Sequence, residues 1–398
     1  MSWNQQYNPN HSGNIVINQF ICFYVIVMKI SKLEIMARDK VNQPLYPYVK
    51  PTDYYLEILG EKSPTEAAMI DNVAILRMTA DDGSSSYFNT SSLVADYAMT
   101  LFRKIENWDA SEIGMAWDFL YRYSLPLGRA GVSMHAISVI NLMMYDLYAR
   151  HLKVPVYDLL GGRTRDKIRA YASHLHPLPL KELQKEAQQY VDEGYKVMKM
   201  RFSSGPADPN AMEKNEQLVK AVRDQVGYNV ELAADAWMSW TYNFAVRMLK
   251  KLEKYDLAWV EEPLYPDDFE GFKTLTRNVE TPISAGEHHY HVHDMKKLLD
   301  AGIRILQPDT MWTGGLTSMK KIAGLAEAYG AQVIPHAGNV YNLHFIISEP
   351  QAITPLSEYL TRYREWMEQH MTGIPQPKNG YVTLSEKPGF GVEYDGGK

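Results

Sequence analysis

The hydrophobic pattern changes character twice along the chain. From about Met28 to Asp82, apolar and polar positions alternate, in KISKLEIMA and in NVAILRMTADDG, which closes on an Asp-Gly turn signal. Such alternation predicts half-buried strands. From about Ser92 to Leu152, apolar residues recur every three or four positions, most fully in VSMHAISVINLMMYDLYARHL. That period predicts helices, and strands followed by helices indicate a small α+β unit. Gly161-Gly162 then interrupts the pattern. Beyond it, short apolar runs alternate with helical stretches: KIRAYAS (167–173), KVMKMRF (196–202), VELAADA (230–236), LAWVEEP (257–263), PISAGEH (282–288), IRILQPD (303–309), QVIPHAG (332–338) and, more weakly, PLSEYL (355–360). Eight strands separated by helices is the arithmetic of a (β/α)8-type barrel within the α/β class. The expected organisation is an extension (1–27), an α+β capping unit (28–165), a barrel (166–374) and a turn-rich segment (375–398) that packs back near the first unit.

Composition narrows the function classes. The 398 residues carry a net charge of −6 with no basic, aromatic-interleaved run, which argues against nucleic-acid binding. Cys22 is the only cysteine, so an intrachain disulfide and a zinc-thiolate site are excluded, in keeping with a cytoplasmic location. The uninterrupted apolar stretch Phe20 to Met28 is too short to span a bilayer, and no signal-peptide flanks surround it. Met28 opens the first alternating run and would serve as a natural start. Residues 1–27 then read as an upstream extension, or else as an added strand.

Barrel active sites sit at the C-terminal ends of the strands, so the residues closing each apolar run matter most. These are Asp235, Glu261-Glu262, Glu287-His288-His289, Asp309, His336 and Glu358. From Asp235 through Glu261, Glu287, Asp309 and His336 to Glu358 the spacings are 26, 26, 22, 27 and 22 residues, about one strand-plus-helix repeat each. Asp235, Glu261 and Glu287 would bring three carboxylates together, and these stay ionised only beside a cation. An all-oxygen set suits a hard divalent ion, magnesium best. A single acid at a strand end is usually solvated or caps a helix, but three in register outweigh that reading. Glu262 and Asp267 suit hydrogen-bonding support or loop capping. Asp309 can hydrogen bond His336, fixing its tautomer and raising its basicity. Lys199 and Arg201 share one face of the second strand and can neutralise a carboxylate or enolate oxygen; Arg201 cannot serve as a base. His289 reads as structural, and Trp237 and Trp312 as pocket walls or ordinary packing.

At these residues the chain resembles the enolase superfamily in its mandelate-racemase-like branch. The resemblance covers nearly everything from Met28 onward. It is carried in order by PVYDLLGGRTRDKIRAYA, WVEEP, SAGEH, LQPDTMWTGGLTSMKKIAGLAEAYG, VIPHAG and KPGFGVEYD. It implies a modified (β/α)7β (TIM-like) barrel with an N-terminal α+β capping domain. It also implies magnesium on Asp235, Glu261 and Glu287, a His336–Asp309 dyad, and Glu358 assisting an enolic intermediate. Further details resemble the acid-sugar dehydratases of the branch: Lys199-Met200 with Gly205-Pro206, Asp-x-Trp-Met-Ser at 235–239, Gly-Glu-His-His at 286–289 and Ser-Glu at 357–358. The implied reaction is dehydration of an aldonate to a 2-keto-3-deoxy acid. His336 takes the C2 proton, Lys199, Arg201 and Glu358 stabilise the developing charge, and His336 or His288 supplies the leaving-group proton. His288 fits equally a support for Glu287. Racemases place a lysine where Arg201 stands, so two-base racemisation is not expected. Asn141 stands where an aspartate is usual and reads as structural, and loops at 37–52 and 80–92 are the expected substrate selectors. A homo-oligomer is implied, with a small sugar acid as the only other partner and no membrane. The alternatives are a cycloisomerase or epimerase acting on a carboxylate, and sugar-acid binding without turnover.

Overall fold

The computed structural model describes residues 28–40, 48–59, 72–360 and 371–396, so the 1–27 extension and residues 41–47 of the first expected loop lie outside the described residues. Strands β1 (Ile30–Lys40), β2 (Asn72–Ala80) and β3 (Ser85–Ser91) form an antiparallel sheet in that order. Val73 to Leu76 are all buried, so the central strand is covered on both faces. The 80–92 stretch, expected as a loop, is a tight turn and then a strand. Its backbone pairs with β2 from Thr79↔Ser85 to Val73↔Ser91, which satisfies the polar groups a loop would leave to solvent. Ser91 then caps helix α1 (Ser92–Phe102), its hydroxyl accepting from the Val94 amide at 3.4 Å. Helices α2 (Ile113–Ser124) and α3 (Val132–Leu152) follow.

Helix α3 is buried without interruption from Ser133 to Met144, because it lies between the capping unit and the barrel. There Asn141 binds Thr317, donating to its hydroxyl at 2.8 Å and accepting from its amide at 3.2 Å. The position is structural, as its place in the helix suggested.

The barrel repeats strand and helix: β4 (Ile168–Ser173), α4 (Leu180–Asp192), β5 (Val197–Arg201), α5 (Ala211–Val226), β6 (Glu231–Asp235), α6 (Tyr242–Leu252), β7 (Leu257–Glu261), α7 (Phe269–Asn278), β8 (Ile283–Ala285), α8 (His291–Asp300), β9 (Ile305–Leu306), α9 (Gly315–Ala328), β10 (Gln332–Val333), α10 (Val340–Ser348) and β11 (Ser357–Leu360). The helices face the sheet through apolar residues at helical spacing, as with Leu183, Ala187 and Tyr190 of α4. The strands are parallel in the order β10-β9-β8-β7-β6-β5-β4-β11, so the last strand pairs with the first and the sheet curls on itself. At the seam, Gly338 (φ +69) packs so closely on β11 that a Cβ there would lie 1.8 Å from the Glu358 carbonyl. The C-terminal residues return to the capping unit: the Phe390 amide donates to Asp146 at 2.8 Å and Arg150 reaches Glu393 at 2.7 Å.

Inside the curl, Tyr171, Val197, Ala233, Trp259, Ile334 and Leu356 form their own apolar cluster. Burying each large member contributes about 1.5–3 kcal/mol. Side chains alternate across a strand, so residues two further on share the same inward face. Those residues are Ser173, Lys199, Asp235, Glu261, His336 and Glu358. Within this layer the ladder pairs Ser173 with Lys199 and Asp235 with Glu261, while Arg201 of β5 also pairs with Asp235. An apolar floor thus sits directly beneath a polar layer.

Candidate active site

The polar layer has two halves. In the first, Lys199 and Arg201 are 1% and 2% exposed and both pair with acids. Lys199 Nζ lies 2.6 Å from Glu261, 2.9 Å from Glu358 and 3.8 Å from Asp235. Arg201 pairs with Asp235, whose other oxygen accepts from the Trp237 amide at 2.7 Å. Gln307 donates to Glu261, and the Ala337 amide donates to Glu358 at 2.6 Å. Burial opposes charge on Lys199, but Glu261, Glu358 and Asp235 outweigh it and push its pKa up. Burial also opposes charge on Glu358, yet Lys199 and His336 hold its carboxyl well below the usual range. For Glu261 the balance goes the other way. Burial, with Asp235, Glu358 and Glu287 nearby, pushes it up to about 8 despite Lys199.

The second half is built on imidazoles. His336 Nδ1 donates to Asp309 at 3.0 Å, since a carboxylate can only accept. Asp309 is itself fixed by the Met311 amide at 2.7 Å and the Asn339 side chain at 3.1 Å. The other ring nitrogen, Nε2, faces Glu287 at 3.3 Å. Burial opposes a proton on His336, but Glu287, Asp309 and Glu358 raise its pKa to about 9. His288 Nδ1 donates to Glu262 at 2.6 Å, and Glu262 also takes the His288 amide at 3.4 Å. Burial is again outweighed, here by Glu262 and then Glu287, so His288 rises to about 9 while Glu262 falls to about 2, its burial overcome by His288 and His289. Glu262 therefore supports the loop after β8, the role its position suggested. His289 donates to the Pro266 carbonyl at 3.0 Å and is structural. The capping role expected of Asp267 belongs instead to Asp268, which accepts from the Gly271 amide at 2.8 Å at the start of α7.

These residues suit a cation. Among the described residues, Lys199 and Arg201 are the permanent positive charges paired with Asp235, Glu261 and Glu358, so the acids outnumber them. Glu287 Oε2 is buried with no partner in hydrogen-bond geometry among the described residues, the His336 ring lying 3.3 Å away. Among the described residues, Glu262, Glu287 and His288 place one potential ligand atom each within 4.8 Å of one another, a carboxylate–histidine cluster capable of metal coordination. His288 commits Nδ1–H to Glu262, which leaves Nε2 as the nitrogen with a lone pair in the neutral ring.

Aromatic rings wall the site. Trp312 lies 4.9 Å from the His336 ring and 6.0 Å from His288, and Trp237 meets His288 at 6.0 Å. Tyr48, from the capping unit, stands edge-on to Trp237 at 5.5 Å and beneath the Arg201 guanidinium at 5.5 Å. The sequence reading missed Tyr48, Gln307 and the Ala337 amide. Gln307 was findable, because it falls two residues before Asp309 on the inward alternation. Tyr48 lies in the 37–52 segment expected to select substrate, but no local period singles it out from the neighbouring Tyr46.

Residues 182–398 match the enolase C-terminal domain-like family, and residues 74–161 match the mandelate racemase / muconate lactonizing enzyme N-terminal domain. The chain belongs to the enolase superfamily, in its mandelate racemase/muconate lactonizing enzyme branch. Within that branch it stands close to the dehydratases, and its enzyme class is hydro-lyase. It is 34% identical over 302 residues to the L-rhamnonate dehydratase of Saccharopolyspora erythraea, covering 73% of this chain and 74% of that one. The crystal structure of L-rhamnonate dehydratase from Gibberella zeae superimposes with a TM-score of 0.79 at 27% identity, covering 92% of this chain and 94% of that one. The same enzyme is also known complexed with Mg. The 3,6-anhydro-D-galactonate cycloisomerase from Zobellia galactanivorans superimposes with a TM-score of 0.76 at 27% identity, covering 92% and 97%.

Proposed function

We propose that this protein dehydrates an aldonate, with L-rhamnonate the first candidate, to a 2-keto-3-deoxy sugar acid in a magnesium-dependent reaction. The observation that carries the reading is His336, its Nδ1 tied to Asp309 and its Nε2 turned toward Glu287 beside the Lys199–Arg201 cage. Asp235, Glu261 and Glu287 would hold the magnesium ion, which when bound supplies positive charge beside the substrate carboxylate. In its neutral form His336 takes the C2 proton on Nε2, while Asp309 keeps the opposite nitrogen protonated and the ring oriented. The C–H electron pair moves into the carboxylate as an enediolate, whose charge Lys199 and Arg201 stabilise in a water-poor setting. Glu358 holds Lys199 and the Ala337 amide in place. The C3–O bond then breaks and the hydroxyl leaves as water with a proton from His336 or His288. The remaining enol becomes the 2-keto acid. The test is a panel of C5 and C6 aldonates with magnesium, assayed for 2-keto acid as the semicarbazone. Formation from at least one aldonate is expected.

The fold similarity to a cycloisomerase keeps isomerisation of a carboxylate as the second reading. Exchange of the C2 proton in heavy water without any 2-keto acid across the panel would favour it.

A further inference from the structure

We infer that His135 of the capping helix is a specificity-determining residue of this site, binding a neutral hydroxyl of the sugar acid through Nε2. The inference rests on the dehydratase reading above. His135 lies near the start of α3 and is 7% exposed. Its ring stacks on Trp312 at 5.3 Å with an interplanar angle of 18°, and meets Tyr290 at 5.7 Å. Trp312 in turn touches both His336 and His288. His135 therefore brings the capping unit to the wall of the site, against the loops after β8 and β9.

Its Nε2 is buried and has no hydrogen-bond partner among the described residues. Leaving a buried polar atom unsatisfied is destabilising, and native structures complete such atoms with a ligand or ordered water. The chemistry of the ring limits what that group can be. Burial, reinforced by His288, keeps the imidazole neutral. A neutral imidazole offers one donor and one acceptor, which suits an alcohol. The acid end of the substrate has Lys199 and Arg201 to attract it, so His135 is left to read the polyol end. Sequence reasoning passed over this residue because it lies in an otherwise apolar helix.

The test uses the full-length, magnesium-loaded enzyme with its best aldonate and with a series of deoxy analogues, each lacking one hydroxyl. His135→Phe keeps the stack on Trp312 and removes both nitrogens, whereas His135→Asn keeps a donor and an acceptor. His135→Phe is expected to raise KM about tenfold on the hydroxylated substrate with little change in kcat, the loss of one well-placed hydrogen bond. It should leave KM unchanged on one deoxy analogue, the one lacking the hydroxyl that His135 binds, and His135→Asn should recover part of the loss. An unchanged KM, or a rise of equal size on every analogue, overturns the inference while the dehydratase reading stands. Absence of turnover by the wild-type enzyme on all aldonates overturns the dehydratase reading, and this inference with it.

Discussion

The two halves of the polar layer are built differently. Lys199, Arg201, Asp235, Glu261 and Glu358 all lie within strands, at positions set by the hydrogen-bonded ladder. Glu287, His288, Asp309 and His336 all lie beyond the ends of β8, β9 and β10, which are only three, two and two residues long. The loop-borne half needs unusual backbone: Glu262 and Ala337, flanking it, adopt φ of 39° and 75°. The strand-borne half holds permanent cations against carboxylates. The loop-borne half holds the imidazoles, whose protonation can change near neutral pH. Fixed charge here sits on hydrogen-bonded strands, while proton handling sits where the chain leaves the sheet and other groups must hold it in place.

Four perturbations test this contrast. His336→Asn removes the proton acceptor from the loop-borne half, and kcat should fall about 10²–10⁴-fold. Circular dichroism and thermal melting should remain close to wild type, and near-normal turnover would remove His336 from its role. Lys199→Met strikes the other half and leaves Glu261 and Glu358 buried without their cation. Stability in urea should drop by about 3–5 kcal/mol, the cost of breaking a buried charge pair. A drop well under 1 kcal/mol would show that the cage is not held by charge pairing.

Glu262→Gln is expected to act more mildly. His288 loses its carboxylate partner, and magnesium affinity or activity should fall about 10–100-fold, as when an outer support is removed. An unchanged magnesium titration would detach Glu262 from the site. The smallest effect is the pH dependence of the protein stripped with EDTA. His288 and His336 are raised from 6.5 to about 9 in the folded state. Folding then favours their protonated forms, so the stabilisation is complete below pH 6.5 and is lost as pH rises through 9. The melting temperature should decline across that window. Magnesium should flatten the decline and release protons, because a cation drawing on Glu287 weakens its hold on the His336 proton. Melting curves that do not change between pH 6.5 and 9 would contradict this.

Much of the strand-borne half was legible in the sequence. Val197, Lys199 and Arg201 alternate visibly with apolar neighbours, and period-two alternation leaves one choice of face. Gln307 obeys the same rule and was findable. The loop-borne half was legible mainly through the resemblance and the repeat spacing. Its detail was not: Asp268 takes the cap expected of Asp267, and residues 80–92 form a strand edge rather than a loop, because β2 offers them a ladder.

What the sequence determined by itself was the order of elements, the identity of the chemical groups and the face each strand turns inward, since alternation and repeat length are local properties of the chain. Only the tertiary structure decided that Glu262 clamps His288, that Tyr48 lies under Arg201, and that His135 backs Trp312. Each of those contacts joins residues from separate elements, and their meeting depends on how the capping unit and the curled sheet pack, which no local period encodes.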